Sequence, residues 1–281
     1  MQVKMTTPIA YYGGKQQMLQ HILPLVPQHQ IYVEPFFGGG AVYWSKNPVK
    51  LEVINDTNMN VVNFYEVLKH DYFGLRKLIQ VTLHSRETYK KALIIYDCPW
   101  LFADSPVHRA WAFYVVTNQG FSKKVGSWGY DKTCNLALRF KNKIDQFEEC
   151  LTDRLRKTQI EQNQADKVIS SRDTPNTFVY ADPPYIDSHQ GHYGGYTESH
   201  YRRDLDALAT MKGKFLLSSY PSSILDEYIE NHQWYTLSID NPLSAKKATG
   251  KRDRKTEVLT ANYAISKGHT VHRNCDLFSS E

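Results

Sequence analysis

Cysteine is scarce. Cys98, Cys134, Cys150 and Cys275 are scattered along 281 residues, with no Cys-x-x-Cys pair. That pattern excludes a disulfide framework and a cysteine zinc site. Long apolar runs are missing too. No stretch reaches the roughly 18 uninterrupted apolar residues of a membrane span, so no membrane role is expected. Met1 to Thr7 lacks the apolar core of a secretory signal, and the expected location is cytoplasmic. No repeat of fixed period is visible, which argues against a solenoid. What remains is ordinary globular material: 41% apolar and 22% charged residues. The length allows one large domain or two modest ones.

Positive charge exceeds negative by five, 34 Lys and Arg against 29 Asp and Glu. Its placement says more than its total. Lys246, Lys247, Lys251, Arg252, Arg254 and Lys255, against Asp253 alone, give a local excess equal to that of the whole chain. Thr249 and Gly250 interrupt the run, so a mobile loop is expected there. A solvated basic loop is the plain reading; contact with a phosphate backbone is the functional one.

The apolar pattern reads as α/β. Ile31-Tyr32-Val33-Glu34 predicts a strand, Gly38-Gly39-Gly40 a turn, Ala41-Val42-Tyr43-Trp44 the start of a helix, and Leu51-Glu52-Val53-Ile54 a second strand. This spacing predicts a parallel, right-handed βαβ unit. A helix over 61–68 follows. Between about 70 and 175 the character changes to helices rich in aromatics and bases, at 106–116 and 143–157, around a glycine-rich exposed segment at 118–130. Strands are expected again over 177–181, 214–219, 236–239 and 257–263, with a helix over 201–211. The simplest organisation is a Rossmann-like α/β domain from 1–69 and 174–281, interrupted by a mostly helical insertion at 70–173.

Two local features carry chemistry. The first is the glycine turn with Asp56 eighteen residues after Gly38. Glycines let backbone approach a ligand, and an acid after the second strand suits ribose hydroxyls. The pattern is not Gly-x-Gly-x-x-Gly, and Glu34-Pro35 precedes the glycines. An acid there repels a pyrophosphate and suits a cation such as a sulfonium. A purely structural turn is the competing reading.

The second is Asp182-Pro183-Pro184-Tyr185, just past the strand at 177–181. Open α/β sheets bind ligands at such carboxyl ends. Two prolines fix the backbone and withdraw two donors, leaving carbonyls as acceptors. Asp182 adds a carboxylate and Tyr185 a stacking face. An amino group on a planar ring can donate one hydrogen to Asp182 and one to the Pro183 carbonyl. Its lone pair then points outward, ready for in-line attack on a methyl group, which needs positioning and charge stabilisation only.

These residues resemble the Dam-like, alpha-class DNA adenine methyltransferases. Tyr11-Tyr12-Gly13-Gly14-Lys15 is similar to that family's N-terminal cofactor motif, and Glu34-Pro35-Phe36-Phe37-Gly38-Gly39-Gly40 to its glycine loop. Asp182-Pro183-Pro184-Tyr185 is similar to its catalytic motif, and Glu257-Val258-Leu259-Thr260-Ala261-Asn262-Tyr263 to its last strand. Tyr11 stands where the best-known members have tryptophan; stacking survives the change. The resemblance implies an S-adenosylmethionine-dependent methyltransferase sheet with a target-recognition insertion. It implies cofactor contacts from Tyr11, Lys15, Glu34, Pro35, Phe36, Gly38, Gly40, Asp56 and Asp182, Lys15 pairing with the cofactor carboxylate. Asn163 to Asp166 are placed near the cofactor adenine.

The implied reaction is methylation of adenine at N(6) in double-stranded DNA, after flipping of the base. Phosphate contacts are then expected from the basic run 246–255, from Lys123 and Lys124, and from Arg139, Lys141 and Lys143. Base contacts are expected from Asn118, Gln119, Ser122 and Ser127. A loop with His189, His192, Tyr193, Tyr196 and His200 follows the catalytic motif. A lid over the base is expected there rather than a metal site. A restriction nuclease is the partner such an enzyme can have. N(4)-cytosine methylation uses the same amine chemistry and is an alternative, as is a silent DNA-binding protein on the same fold. Methylation at a cytosine ring carbon is disfavoured, because no Pro-Cys pair occurs. RNA as substrate stays open.

Overall fold

A computed structural model describes residues 7–185, 195–246 and 252–265, with side chains placed outside 240–246 and 252–255. In chain order the strands are β1 (Ile31–Glu34), β2 (Leu51–Asn55), β3 (Thr158–Glu161), β4 (Thr177–Ala181), β5 (Lys214–Ser219), β6 (Tyr235–Lys246) and β7 (Arg252–Ala261). They form one sheet in the order β3-β2-β1-β4-β5-β7-β6. The first five are parallel; β7 runs antiparallel to both β5 and β6. Ligands bind such sheets where the winding direction reverses. Here that point lies between β1 and β4, whose carboxyl ends carry Glu34 and Asp182.

Why the strands read as unbroken apolar runs is visible in the layers. Alternate residues enter opposite cores. Val33, Val53, Val179, Phe215 and Leu217 face one layer, Tyr32, Ile54, Phe178, Tyr180 and Leu216 the other. The first layer is covered by α9 (Ala165–Ser171), α10 (Glu198–Ala209) and α11 (Ser223–His232). The second is covered by α1 (Leu19–Ile22), α2 (Ala41–Ser45) and α3 (Met59–His70), then by α4 (Tyr72–Gln80). Phe178 and Phe215 are fully buried, and each stabilises by roughly 1.5–3 kcal/mol before entropy is offset.

Four further helices lie between α4 and β3: α5 (Arg86–Asp97), α6 (Pro106–Gln119), α7 (Leu136–Asp145) and α8 (Cys150–Leu155). Pro106 fits the first turn of α6, where its missing N–H costs nothing. α6 lies between α3 and α5. Phe113 and Tyr114 of α6 join the sheet's own core, while Val115 and Val116 pack on Tyr89 and Ala92 of α5. The helices between β2 and β3 therefore share a core with the sheet.

Three sequence expectations need correction. An insertion over 70–173 is expected, but β3 pairs with β2 from Glu52↔Thr158 to Asn55↔Glu161, so residues from Thr158 on belong to the sheet. The helix expected over 143–157 is split between α7 and α8. Phe147 turns into the core there, and its carbonyl accepts from the Tyr72 hydroxyl at 3.0 Å. The basic run is not all loop. β6 reaches Lys246 and β7 starts at Arg252, with Lys246 opposite Arg252, so the two ends of the run lie in paired strands. Lys247 and Lys251 lie outside the described residues.

A buried ion cluster ties the insertion to the sheet. Glu52 of β2 accepts from Lys46 at 2.6 Å and from Arg154 of α8 at 2.7 and 3.0 Å. The Arg154 guanidinium also donates to the Lys46 carbonyl at 2.9 Å and lies over the Tyr43 ring. Glu52 sits near the amino end of its strand, away from the carboxyl ends where Glu34 and Asp182 stand.

Candidate active site

The turn after β1 is shaped before any ligand is considered. Gly38 and Gly40 have φ of +46° and +64°, which favour glycine. A Cβ on Gly38 would also come within 2.7 Å of the Tyr11 ring. Asp56 fixes the turn from below, accepting the Gly38 N–H at 2.8 Å and the Asn58 N–H at 2.9 Å. Asn55 ties β2 to both neighbours: it donates to Pro35 and Asn163 carbonyls and accepts the Asn163 N–H, at 2.8–3.0 Å.

A cavity of about 340 Å³ opens over this turn. That is within the usual range of small-molecule sites, about 300–1,000 Å³. It brings together Tyr11, Lys15, Glu34, Phe36, Gly38, Gly40 and the whole of Asp182-Pro183-Pro184-Tyr185, residues far apart in sequence. Lys123 and Lys143 also line it. Asp182 is 19% exposed, and its Oδ1 stands 2.8 Å from Lys15 Nζ. The Tyr185 hydroxyl donates to the same oxygen at 3.5 Å, and the Tyr185 ring packs on Tyr220 with centroids 4.0 Å apart.

The electrostatics follow from burial. Burial alone would lower the Lys15 ammonium, yet the Asp182 carboxylate beside it holds it well above its ordinary value. Burial pushes the Asp182 carboxyl up, and Lys15 opposes that push. Glu34, 3% exposed, is driven by burial to about 8, although Tyr32 Oη donates to it at 2.6 Å and the Tyr43 N–H at 3.2 Å.

Glu34 therefore makes a stability prediction. An acid whose folded value exceeds its unfolded one (here about 8 against 4.5) favours the native state fully below pH 4.5. That contribution is lost as pH rises towards 8. Glu34→Gln removes the titration. Without added ligand, melting temperature of the variant relative to the native chain should climb steadily from pH 5 to pH 8.5. A difference that stays flat over this range would refute the assignment.

A second cavity, of about 490 Å³, shares Phe36 and Pro184 with the first. Asn58, Gln164, Ala165, Tyr196, His200, Arg203 and Asp204 line it. Tyr196 donates to Asp204 at 2.7 Å and meets Phe36 edge-on. Burial raises Asp204 to about 6. His200 accepts the Thr197 N–H at 3.1 Å, so it serves the amino end of α10. Sequence reasoning missed Asn55 and Asp204, because neither belongs to a short motif. His189, His192 and Tyr193 lie outside the described residues.

The residues expected to meet DNA separate. Ser122, Lys123 and Arg139 are exposed; Ser122 and Lys123 have positive φ on a short 3-10 turn, Phe121–Lys123, next to a Gly120↔Trp128 bridge. Lys124 lies over the Tyr12 ring. Asn118 accepts the Ala10 N–H at 3.2 Å, stitching the N-terminal motif to α6. Gln119 does not face outward. It is 2% exposed, accepts from Ser85 and Trp128, and donates to the Leu83 carbonyl at 3.0 Å. Its amide is spent on the frame of the hairpin. Pro35 and Asp56 brace the first cavity from behind rather than line it.

The sequence profile of the D12 class N6 adenine-specific DNA methyltransferases matches residues 11–237. The type II methyltransferase M1.LlaDCHI of Lactococcus lactis subsp. cremoris is 28% identical over 274 residues, covering 89% of this chain and 93% of that protein. The DNA N-6-adenine-methyltransferase of Escherichia phage P1 is 28% identical over 110 residues, 39% of this chain and 14% of its own length. The modification methylase StsI of Streptococcus sanguinis is 23% identical over 205 residues, 64% of this chain and 28% of its own.

Proposed function

The chain belongs to the D12 class N6 adenine-specific DNA methyltransferase family, and from that premise we propose how its own residues carry the reaction. S-adenosylmethionine is the cofactor, and it supplies an activated methyl group on a sulfonium. The donor set suits it. Lys15 would offer a cation to the carboxylate and Tyr11 and Phe36 apolar faces, while Glu34, held protonated by burial up to about pH 8, would meet the cationic part by giving up its proton. Gln164 and Ala165 line the adjoining crevice and would hold the adenosine there. Asp56 acts on the site through the Gly38 N–H it fixes.

The observation that carries this reading is the shared cavity. The glycine turn and the Asp182-Pro183-Pro184-Tyr185 motif wall the same space at the switch point of the sheet. Asp182 and the Pro183 carbonyl each accept one hydrogen of the extruded amino group. Tyr185 stacks on the base. Holding both hydrogens in acceptors would leave the nitrogen lone pair free for in-line attack. The N–C bond would form as the sulfonium S–C bond breaks, S-adenosylhomocysteine would leave, and the proton shed by the amine would pass to Asp182. No covalent enzyme intermediate is needed. Extrusion costs a few kcal/mol. Lys123, Arg139 and the basic run at 246–255 offset it through phosphate contacts, and Ser122 and Ser127 read the duplex beside them.

The test is to give the purified chain plasmid DNA and tritiated S-adenosylmethionine, digest the product to nucleosides, and map the modified positions by long-read sequencing. The expected product is N(6)-methyladenine at one recurring sequence. N(4)-methylcytosine would move the assignment to the alternative base. DNA retention with no label would leave a silent binding protein.

A further inference from the structure

Arg86 opens α5 and is held there by rings rather than by acids. Its guanidinium lies over the Trp128 ring at 4.9 Å and over the Tyr130 ring at 5.9 Å. Those two rings stack, 22° apart in plane, with centres 6.4 Å apart. The His84 ring also packs on Trp128, with centres 5.0 Å apart. Arg86 and Tyr130 are exposed, so the layer faces solvent. Among the described residues no carboxylate pairs with Arg86, and no protein acceptor takes its guanidinium N–H groups.

One buried amide aligns this layer. Gln119 accepts the Trp128 Nε1–H and the Ser85 N–H, both at 3.3 Å. The first bond fixes the ring beneath the cation; the second fixes the backbone one residue before it. Ser85 also caps α5, accepting the Thr88 N–H at 3.4 Å. Stability does not explain an arginine in this place. A cation in the first turn meets the positive end of the helix dipole. An exposed cation–π contact returns a gain of similar size, so the two nearly cancel. What the arrangement gains is a planar fork held in one place with its edge free. A phosphate is served by a mobile point charge, whereas a fixed fork matches a planar pair of acceptors. Guanine shows such a pair, O6 and N7, in the major groove. The layer also stands in the right segment. Trp128 bridges Gly120, and the Phe121 N–H donates to the Ser127 carbonyl at 2.7 Å. Lys123 of the same segment lines the first cavity, so one stretch of chain connects the target pocket with Arg86.

We propose that Arg86 is a specificity-determining residue that reads a guanine of the recognised site, bidentate to O6 and N7, and that Trp128 and Tyr130 hold its guanidinium for that contact. The proposal rests on the reading that the segment at 118–130 faces the duplex. It has a direct consequence: the recognised site contains at least one G·C pair besides the target adenine.

The experiment starts from the site mapped by the chain's own methylation and uses synthetic duplexes that vary one pair at a time. With the native chain, one position should demand guanine. Arg86→Ala should relax that demand, and so should Arg86→Lys, which keeps the charge and loses the fork. At that position alone, the kcat/KM ratio of guanine over the other bases should fall by about 5–150-fold, the worth of one bidentate pair. A duplex with 7-deazaguanine there lacks the N7 acceptor. It should slow the native chain and leave Arg86→Ala no slower than guanine does. Lys123→Ala should instead weaken binding to every duplex alike and reduce its salt dependence. A mapped site without a G·C pair would overturn the proposal. So would an equal loss on every duplex in Arg86→Ala, which marks a phosphate contact, or a native guanine preference in either Arg86 variant. If Arg86→Ala does not fold by circular dichroism, Arg86→Lys and the 7-deazaguanine duplex decide. A Lys123→Ala protein with native affinity and salt dependence overturns the underlying reading first, whatever the Arg86 variants do.

Discussion

Asp182→Asn should lower the rate of methyl transfer by about 10²–10⁴-fold while cofactor and DNA still bind within a few-fold of the native chain. The variant keeps the shape of the side chain and removes its charge. An amide oxygen still accepts a hydrogen bond, but it does not stabilise an amine that is turning positive. The amide NH₂ also competes as a donor, facing the group it should receive. The loss therefore falls on the transition state and not on the ground state, which appears as a lower kcat at nearly constant KM. Pro183 and Pro184 keep the turn rigid, so the backbone carbonyl of Pro183 stays in place and some residual rate survives. Single-turnover transfer with tritiated cofactor measures the chemical step; calorimetry and gel retardation measure the two binding steps. A variant that loses cofactor binding as completely as turnover would move Asp182 from the reaction to the frame.

Arg154→Ala should be the most destabilising single change in the frame, by about 3–5 kcal/mol. Glu52, Lys46 and Arg154 are each under 10% exposed, and Arg154 makes two of the three contacts to the Glu52 carboxylate. Removing it leaves a buried acid with one partner, and it frees the Lys46 carbonyl that accepted at 2.9 Å. The packing of the guanidinium on Tyr43 is lost as well. Replacing the three charges together by apolar side chains of similar volume should cost far less, because a buried ion pair must first be desolvated. Urea unfolding of the single and triple variants measures both. Similar midpoints for Arg154→Ala and the native chain would show that the cluster is dispensable. This cluster joins β2 to α8, so the single variant should also loosen the insertion against the sheet.

How much of this was legible in sequence depends on range. The βαβ unit was legible because its signals are local: a short apolar run, three glycines, and a second run close behind. The position of Asp182-Pro183-Pro184-Tyr185 followed from the strand before it. Both motifs then meet in one cavity because β1 and β4 are neighbours, a pairing that parallel order makes natural. β3 is not legible in the sequence, since it is only four residues long and half-exposed at the sheet edge. Arg154 stands in a stretch that reads as a helix rich in aromatics and bases, yet its charge is neutralised inside. Gln119 read as a loop residue next to Gly120, but α6 runs one turn further and buries it. No local pattern announces either partner. The pairing of Lys15 with Asp182 depends on how the N-terminal motif crosses the sheet, and only the fold determines that.

The central claim is that an acceptor pair at the end of β4 grips an exocyclic amine. A crystal structure of the chain with sinefungin and a duplex carrying its mapped site tests this directly. The target adenine should lie outside the helix, its N6 within about 2.6–3.2 Å of both the Asp182 carboxylate and the Pro183 carbonyl, with Tyr185 against its face. A target base still stacked in the duplex, or flipped into a pocket where N6 meets neither acceptor, would contradict it.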